Sequence, residues 1–190
     1  MSWPVFLLAS LLAVALDGSL VQVLRVGDAS PSLLMMVSVY VLLNAPKQTA
    51  FRGVLIAGLF ADLLSPIFTG ADAQVLVVIG PNILGFALGA VALLALRNLL
   101  YRKSRLALAF GAAVFTLLAA LGTTAVFILR AAMTGTGPWG EGTATGYLFE
   151  RIACAGVTVL LVAILLPVLD RTRALWSFES SSRLVGGTAR

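Results

Sequence analysis

Long apolar stretches separated by short polar connections dominate this chain. They lie at about 4–24, 31–45, 51–69, 75–96, 106–129 and 146–169. A helix that crosses a bilayer needs about 20 largely apolar residues, so the pattern predicts six transmembrane helices. The second stretch is the shortest and needs Pro31 and the residues after Asn44 to approach that length. Residues 1–173 are therefore predicted to form one compact all-α membrane bundle, and residues 174–190 a flexible cytoplasmic tail.

The composition agrees with a surface that faces lipid. The chain is 60% hydrophobic and only 11% charged, whereas soluble domains are about 25% charged. A net charge of +5 would suggest nucleic acid in a soluble protein. Here the basic residues flank apolar stretches, where they set topology and meet anionic lipid headgroups. No nucleic-acid partner is expected.

The distribution of Lys and Arg predicts that both termini are cytoplasmic. With that orientation, the outer side carries only Arg25, Arg130 and Arg151. The inner side carries the rest, namely Lys47, Arg52, Arg97, Arg102, Lys103, Arg105, Arg171, Arg173, Arg183 and Arg190. Such an excess of positive charge is typical of cytoplasmic loops. The first stretch lacks a basic N-terminal region, so it is expected to stay as an anchor and not to be cleaved as a signal peptide.

The sequence offers little for catalysis. It has no histidine and a single cysteine, Cys154. The absence of histidine excludes His-dependent hydrolases and His-ligated zinc proteases. The sequence also lacks a Gly-rich phosphate loop, an acidic motif for paired metals, and a nucleophile beside a base. The chain is therefore predicted to be non-enzymatic, with no cofactor and no metal.

Four predicted spans carry polar residues at a similar depth, in the outer half of the membrane. They are Asp17, Asp62, Asn82 and Thr123, placed by the helical rise of about 1.5 Å per residue. A charge at the centre of a membrane helix costs about 2.5–3.5 kcal/mol, so these positions suggest a shared polar layer that binds a ligand or a partner. A kink at Pro81 is expected to expose backbone carbonyls there as well.

A structural interpretation of this polar layer stays open. Each carboxyl group is then kept neutral by burial and hydrogen-bonded across a helix contact. No Lys or Arg lies deep in a predicted span, and Arg151 is the nearest candidate partner at the outer end of the sixth. A guanidinium in that position is expected to extend towards the membrane interface.

Small residues recur at helical spacing in two spans. Gly53, Ala57 and Ala61 follow one face of the third span, and Gly85 and Gly89 form a GxxxG motif in the fourth. Such faces let two helix backbones approach closely in lipid. Contacts within the bundle are the favoured interpretation, and a docking face for a partner is the alternative.

Residues 30–70 contain a recognisable series of motifs. They are Pro31 before an apolar run with Tyr40, a break at Asn44-Ala45-Pro46, Gly58 and Asp62 four residues apart, and Phe68-Thr69-Gly70. This series resembles the family of the bacterial rod shape-determining protein MreD. Pro31, Gly58, Asp62 and Gly70 are the positions that match the family motif. Ser30 and Thr69 stand where the family often has Arg and Leu. The end of the last span, from Pro167 to Arg173, is also similar.

The resemblance implies a non-enzymatic scaffold of the cell-wall elongation complex in the bacterial inner membrane. Proteins of this family associate with the bitopic protein MreC, and through it with the RodA polymerase, its penicillin-binding transpeptidase partner and MreB filaments. The family also looks like the six-helix substrate-binding subunit of energy-coupling-factor transporters. The alternative function is therefore a small-molecule-binding subunit of a vitamin-type transporter, with the polar layer as its site.

Overall fold

The computed structural model describes residues 1–19, 30–64, 67–69, 74–99, 105–134, 137–139 and 142–178. They form α1 (Trp3–Ser19), α2 (Leu33–Asn44), α3 (Lys47–Leu64), α4 (Pro81–Leu96), α5 (Arg105–Thr134) and α6 (Ala144–Arg171). Two three-residue strands, β1 (Ile67–Thr69) and β2 (Gln74–Leu76), pair as an antiparallel hairpin between α3 and α4. The predicted all-helical class is confirmed, and the hairpin is a small addition that the apolar pattern did not reveal.

Two helices are long and apolar enough to cross a membrane, judged by length and composition. They cover Ala107–Thr134 in α5 and Ala144–Leu165 in α6. Three further apolar helices, α1, α2 and α4, are shorter than 18 residues. Within the described residues, membrane-spanning character is therefore carried most clearly by the last two helices.

Helix α2 lies at the centre of the fold. It contacts all five other helices, and nine of its 12 residues are buried. Its sequence is apolar on every face, which is the pattern of a helix surrounded by protein. Tyr40 and Leu42 on this helix are fully buried. The shortness of the second apolar stretch thus reflects a central position, and both ends of this helix need hydrogen-bonding partners inside the protein.

The connection between α3 and α4 is longer than predicted. The predicted spans 51–69 and 75–96 leave only residues 70–74 between them, whereas the helices end and begin at Leu64 and Pro81. Helix α3 ends at Leu64, just before Ser65-Pro66 in the sequence, where proline opposes further helix. Helix α4 begins with Pro81 in its first turn. Proline is favoured there because an N–H group in the first turn would have no acceptor within the helix, so its absence costs nothing. The predicted kink at Pro81 is therefore wrong. Gly80 precedes it with φ of 128°, a conformation that favours glycine.

Residues after α6 pack against Tyr40 of α2 and the start of the chain. Trp176 is 3% exposed, and its ring contacts that of Tyr40 with centroids 5.2 Å apart. The Ser2 N–H donates a hydrogen bond of 2.9 Å to the Trp176 carbonyl, and the Tyr40 hydroxyl donates one of 3.1 Å to the Leu169 carbonyl. The first residues of the segment predicted as a tail are thus docked, and residues 179–190 lie outside the described part.

Candidate functional site

Asp62 caps the N-terminus of α4. Its carboxylate accepts hydrogen bonds from the backbone N–H groups of Gly80 at 2.8 Å, Asn82 at 2.9 Å and Ile83 at 3.2 Å. The first N–H groups of a helix have no partner within the helix, and Gly80 has no side chain to supply one. Asp62 is only 2% exposed. The carboxylate therefore replaces the missing cap, from a helix that is a neighbour in the fold.

Gly58 lies one turn before Asp62 and allows this contact. A Cβ atom on Gly58 would lie 2.8 Å from Ile83 Cα and 3.1 Å from the Asn82 carbonyl oxygen. Any larger side chain would push the start of α4 away from α3 and out of reach of the carboxylate. Gly58 and Asp62, the two family-motif positions on this helix, thus work together as one structural element.

Asp17 has the same role at the N-terminus of α2. Its carboxylate accepts hydrogen bonds from the Leu33 N–H at 2.7 Å, the Leu34 N–H at 3.2 Å and the Ser32 hydroxyl at 3.1 Å. The Ser32 hydroxyl oxygen in turn accepts from the Met35 N–H at 3.2 Å. Asp17 therefore holds both the backbone and the ordinary capping side chain of the central helix.

Arg97 caps the opposite end of α2. Its guanidinium donates to the carbonyl oxygens of Leu42 at 3.0 Å and Ala45 at 2.5 Å. A helix carries partial positive charge at its N-terminus and partial negative charge at its C-terminus. The central helix thus has a carboxylate at the first end and a guanidinium at the second. The sequence interpretation of Arg97 as a topology signal missed this contact.

Asn82 links the capped start of α4 to α5. Its amide oxygen accepts a hydrogen bond of 3.4 Å from the Thr123 hydroxyl, and the two residues are 5% and 1% exposed. The neighbouring Thr124 hydroxyl is fully buried and has no hydrogen-bond partner among the described residues. The predicted polar layer therefore exists as two separate clusters. One joins α3, α4 and α5 around Asp62, and the other joins α1 and α2 around Asp17.

A cavity of about 400 Å³ lies between these clusters. Residues from α1, α2, α3, α4, α5 and α6 bound it, namely Val14, Asp17, Gly18, Ser30, Pro31, Ser32, Leu34, Met35, Ala61, Leu64, Asn82, Phe86, Thr116, Ala120, Tyr147, Glu150, Arg151, Cys154, Ala155 and Thr158. Asp17 and Asn82 are among them, while Asp62 and Thr123 lie behind the wall. Of the four predicted polar residues, two thus face the cavity and two support it.

Helix α6 supplies a cationic and aromatic group to the cavity. Arg151 donates from two nitrogens to the Tyr147 hydroxyl oxygen, at 3.0 and 2.6 Å. Its guanidinium also lies 5.1 Å from the centre of the Tyr147 ring. The ring itself is held edge-on by Phe127 and tilted against Trp139. Arg151 thus lies over Tyr147, whereas the sequence suggested an arginine extending to the interface. Tyr147 carried no signal in the sequence.

The predicted small-residue faces form contacts within the bundle. A Cβ atom on Gly89 would lie 2.6 Å from the Phe115 carbonyl oxygen, and one on Gly85 would lie 2.5 Å from the Ala119 carbonyl oxygen. Gly53 faces the Phe6 ring and Ala57 is fully buried, while Ala61 lines the cavity. Pro31 also lines the cavity, and Gly70 lies outside the described residues.

Comparison of the chain with protein-family models, curated proteins and solved structures found no match. Within the described ranges, no group of three or more metal-ligating side chains comes together. The site is therefore defined by its own geometry. It consists of two capping carboxylates, a capping guanidinium and a cavity with donors on its wall.

Proposed function

We propose that the chain is a non-enzymatic membrane scaffold, similar to MreD, that binds a bitopic MreC-like partner in the cell-wall elongation complex. In this proposal it spans the bacterial inner membrane six times with both termini in the cytoplasm. Through the partner it supports a RodA-like polymerase, a penicillin-binding transpeptidase and MreB filaments. The chain's own chemistry is limited to holding helices together.

The observation that carries the proposal is the role of the motif carboxylate. Asp62 accepts three backbone hydrogen bonds, and Gly58 makes room for the donors. Asp17 is engaged in the same way. Residues of the family motif thus build a fold, as expected of a protein that acts through its shape.

The length of α2 supports a bundle inside the bilayer. Its 12 residues extend about 18 Å at 1.5 Å per residue, less than a hydrocarbon core of about 30 Å. A helix of this length cannot reach both interfaces, so at least one of its ends lies where water is scarce, and unpaired backbone groups there cost several kcal/mol. Capping by Asp17 and Arg97 resolves that cost. A short central helix with charged caps suits six spans packed around it.

Helix α6 offers a face for the single span of a partner. The glycines of α4 are used against α5, so docking needs another surface. Phe149, Leu160 and Ile164 are exposed on α6, and a Cβ atom at Gly156 between them would meet no atom of the described residues within 4 Å. A small residue within an exposed apolar stripe lets a second helix approach closely. We therefore propose that the partner helix packs along Phe149, Gly156, Leu160 and Ile164.

Detergent co-purification from the native host, followed by mass spectrometry, tests this function. Wild-type chain is expected to recover an MreC-like bitopic protein together with RodA-like and transpeptidase proteins, and cells depleted of the chain are expected to become round. Gly156→Leu should reduce the recovered partner at least severalfold, because it fills the notch without a clash. Ala125→Leu, at an exposed position on α5, is the matched control and should recover it fully.

One result would count against the function, and another against the docking face alone. Recovery of an energising transport subunit, with no cell-wall protein, would favour the vitamin-type transporter subunit. Full recovery of the partner by Gly156→Leu would leave the scaffold in place but move the docking face away from α6.

A further inference from the structure

We infer that the cavity between the two aspartate clusters binds an amphipathic organic anion, with a phosphate or carboxylate head and an apolar body. Its volume of about 400 Å³ lies in the range of small-molecule sites, about 300–1,000 Å³. The inference does not depend on the cell-wall function. The chain could act as a scaffold whether or not the cavity binds such a molecule, so failure of the binding test would leave the proposed scaffold function untouched.

The first argument is an unused donor deep in the wall. Asn82 is 5% exposed and lines the cavity. Its amide oxygen is engaged by Thr123, but its amide nitrogen donates to no group in the described part of the chain. Because Asn82 lines the cavity, this amide group is available to a ligand there. A ligand oxygen in the cavity supplies the missing acceptor.

The second argument is the guanidinium of Arg151 on the opposite wall. It meets only the Tyr147 hydroxyl and ring within the described residues, and it forms no ion pair there. The Tyr147 oxygen accepts both hydrogen bonds from Arg151, so its own proton is available to a ligand. Arginine above an aromatic ring is a favoured arrangement for binding phosphate and carboxylate.

The third argument is that the acceptors on the Asp17 side of the cavity are already occupied. The Asp17 carboxylate takes three hydrogen bonds from the start of α2, where the partial positive charge of the helix offsets its own. The Thr158 hydroxyl accepts from the Ser32 N–H at 3.0 Å and donates to the Cys154 carbonyl at 2.8 Å. Glu150, the other carboxylate on the wall, is exposed, where salt screens its charge. The groups that Asn82 and Arg151 present to the cavity are donors, which favours a ligand rich in acceptors.

The remaining wall is apolar and sets the body of the ligand. Phe86, Leu34 and Val14 face the cavity from three helices. Apolar surface next to a few fixed donors is the usual composition of a site for an amphipathic molecule. A free inorganic anion would leave these side chains without contact, so the apolar body is part of the inference.

Binding of octyl phosphate to purified full-length chain in an uncharged maltoside detergent tests the site. Titration calorimetry is expected to show saturable binding, with octyltrimethylammonium, of the same chain length and opposite charge, at least about tenfold weaker. Arg151→Gln and Asn82→Leu should each weaken octyl phosphate by about tenfold or more. Arg130→Gln, which removes an outer arginine that does not line the cavity, is the matched control and should bind like wild type.

A cavity-filling variant distinguishes loss of the site from misfolding of the protein. Ala155 is 3% exposed and lines the cavity, so Ala155→Phe should abolish binding while leaving the melting temperature unchanged or higher. The inference is overturned if wild type does not bind octyl phosphate. It is equally overturned if the ammonium analogue binds as well, or if Ala155→Phe and Arg151→Gln bind like wild type.

Mass spectrometry of molecules extracted with the native chain distinguishes two sources of the same chemistry. A diacyl phospholipid retained by wild type and lost in Ala155→Phe assigns the site to a membrane lipid. A water-soluble organic acid with the same behaviour assigns it to a ligand from the aqueous side. Either supports the site, and an equal amount of both molecules in wild type and Ala155→Phe contradicts it.

Discussion

The two aspartate-capped helix pairs share one device but differ in packing. In the pair α3–α4, supported by α5, glycines at 58, 85 and 89 bring backbone atoms into contact. In the pair α1–α2, supported by α6, a Cβ added to Gly18 or Gly156 would meet no described atom within 4 Å. We call the first region the frame, because its helix backbones are in contact. We call the second the hollow region, because it supplies most of the cavity wall, while residues of the frame such as Asn82 and Phe86 complete that wall. We place the ligand between the two regions and the partner helix on α6.

The comparison shows what the carboxylates contribute by themselves. Each lies near the end of one helix, and each holds the N-terminus of the next helix in the chain. Each capped helix also starts near a proline, Pro31 or Pro81. Because the device works in a close-packed region and in a hollow one, close packing is not a condition for it.

The largest expected effect comes from closing the approach between α4 and α5. Gly85→Ala places a Cβ atom against Thr123 Oγ1 and 2.5 Å from the Ala119 carbonyl oxygen, so the free energy of unfolding should fall by about 3 kcal/mol. Gly156→Ala, the same change at an open position on α6, should be neutral or stabilise by up to about 1 kcal/mol. Denaturant titration in micelles measures both, and equal losses would contradict the contrast between frame and hollow region.

The second prediction compares the two aspartates directly. Asp62→Asn turns one acceptor into a donor that faces backbone N–H groups, so the free energy of unfolding should fall by about 2–3 kcal/mol. Asp17→Asn should cost less, about 1 kcal/mol, because Asp17 lines the cavity and water there can replace a lost partner. The same titration measures both variants. A larger loss of unfolding free energy for Asp17→Asn than for Asp62→Asn would contradict the assignment of α3–α4 as the closely packed region.

The third prediction concerns the C-terminal end of α2. Arg97→Gln removes the positive charge from the carbonyl groups of Leu42 and Ala45, and a loss of about 1 kcal/mol is expected from the helix dipole. Arg52→Gln on the exposed side of α3 should change stability by less than about 0.5 kcal/mol. Thermal unfolding in micelles is the measurement, and similar shifts for the two variants would mean that Arg97 is a topology signal alone.

The last prediction includes an increase in the free energy of unfolding. The Ser10 hydroxyl on α1 is fully buried and meets no hydrogen-bond partner in the described part of the chain, so Ser10→Ala should raise the free energy of unfolding by about 1 kcal/mol. Ser38 on α2 is equally buried, but its hydroxyl donates a 2.9 Å hydrogen bond to the Leu34 carbonyl. Ser38→Ala should therefore lower stability by about 1 kcal/mol. Changes of the same sign would show that the two hydroxyl groups are in similar environments.

The sequence predicted the helical class and the residues that matter more reliably than it predicted their contacts. Hydropathy located six helical segments, because apolar runs are a local property. Asp17, Asp62 and Asn82 stood out as costly polar residues, but their separation into two clusters depends on helix packing, which no local pattern records. The capping role of Arg97 was missed for the same reason. The contact between Arg151 and Tyr147 is different, because residues four apart on one helix are always neighbours. It was missed because a tyrosine near the end of an apolar run is not a costly residue and was not considered as a partner.

Amide hydrogen exchange at the start of α4 tests most directly the claim that buried carboxylates hold the helices of this bundle. We predict that NMR of the wild-type chain in micelles will show slow exchange for the N–H groups of Gly80, Asn82 and Ile83, the three donors to Asp62. Asp62→Asn should speed their exchange at least about tenfold, the equivalent of about 1.4 kcal/mol, while amides in the middle of α5 stay protected. Equal protection of all three amides in wild type and Asp62→Asn would contradict the account.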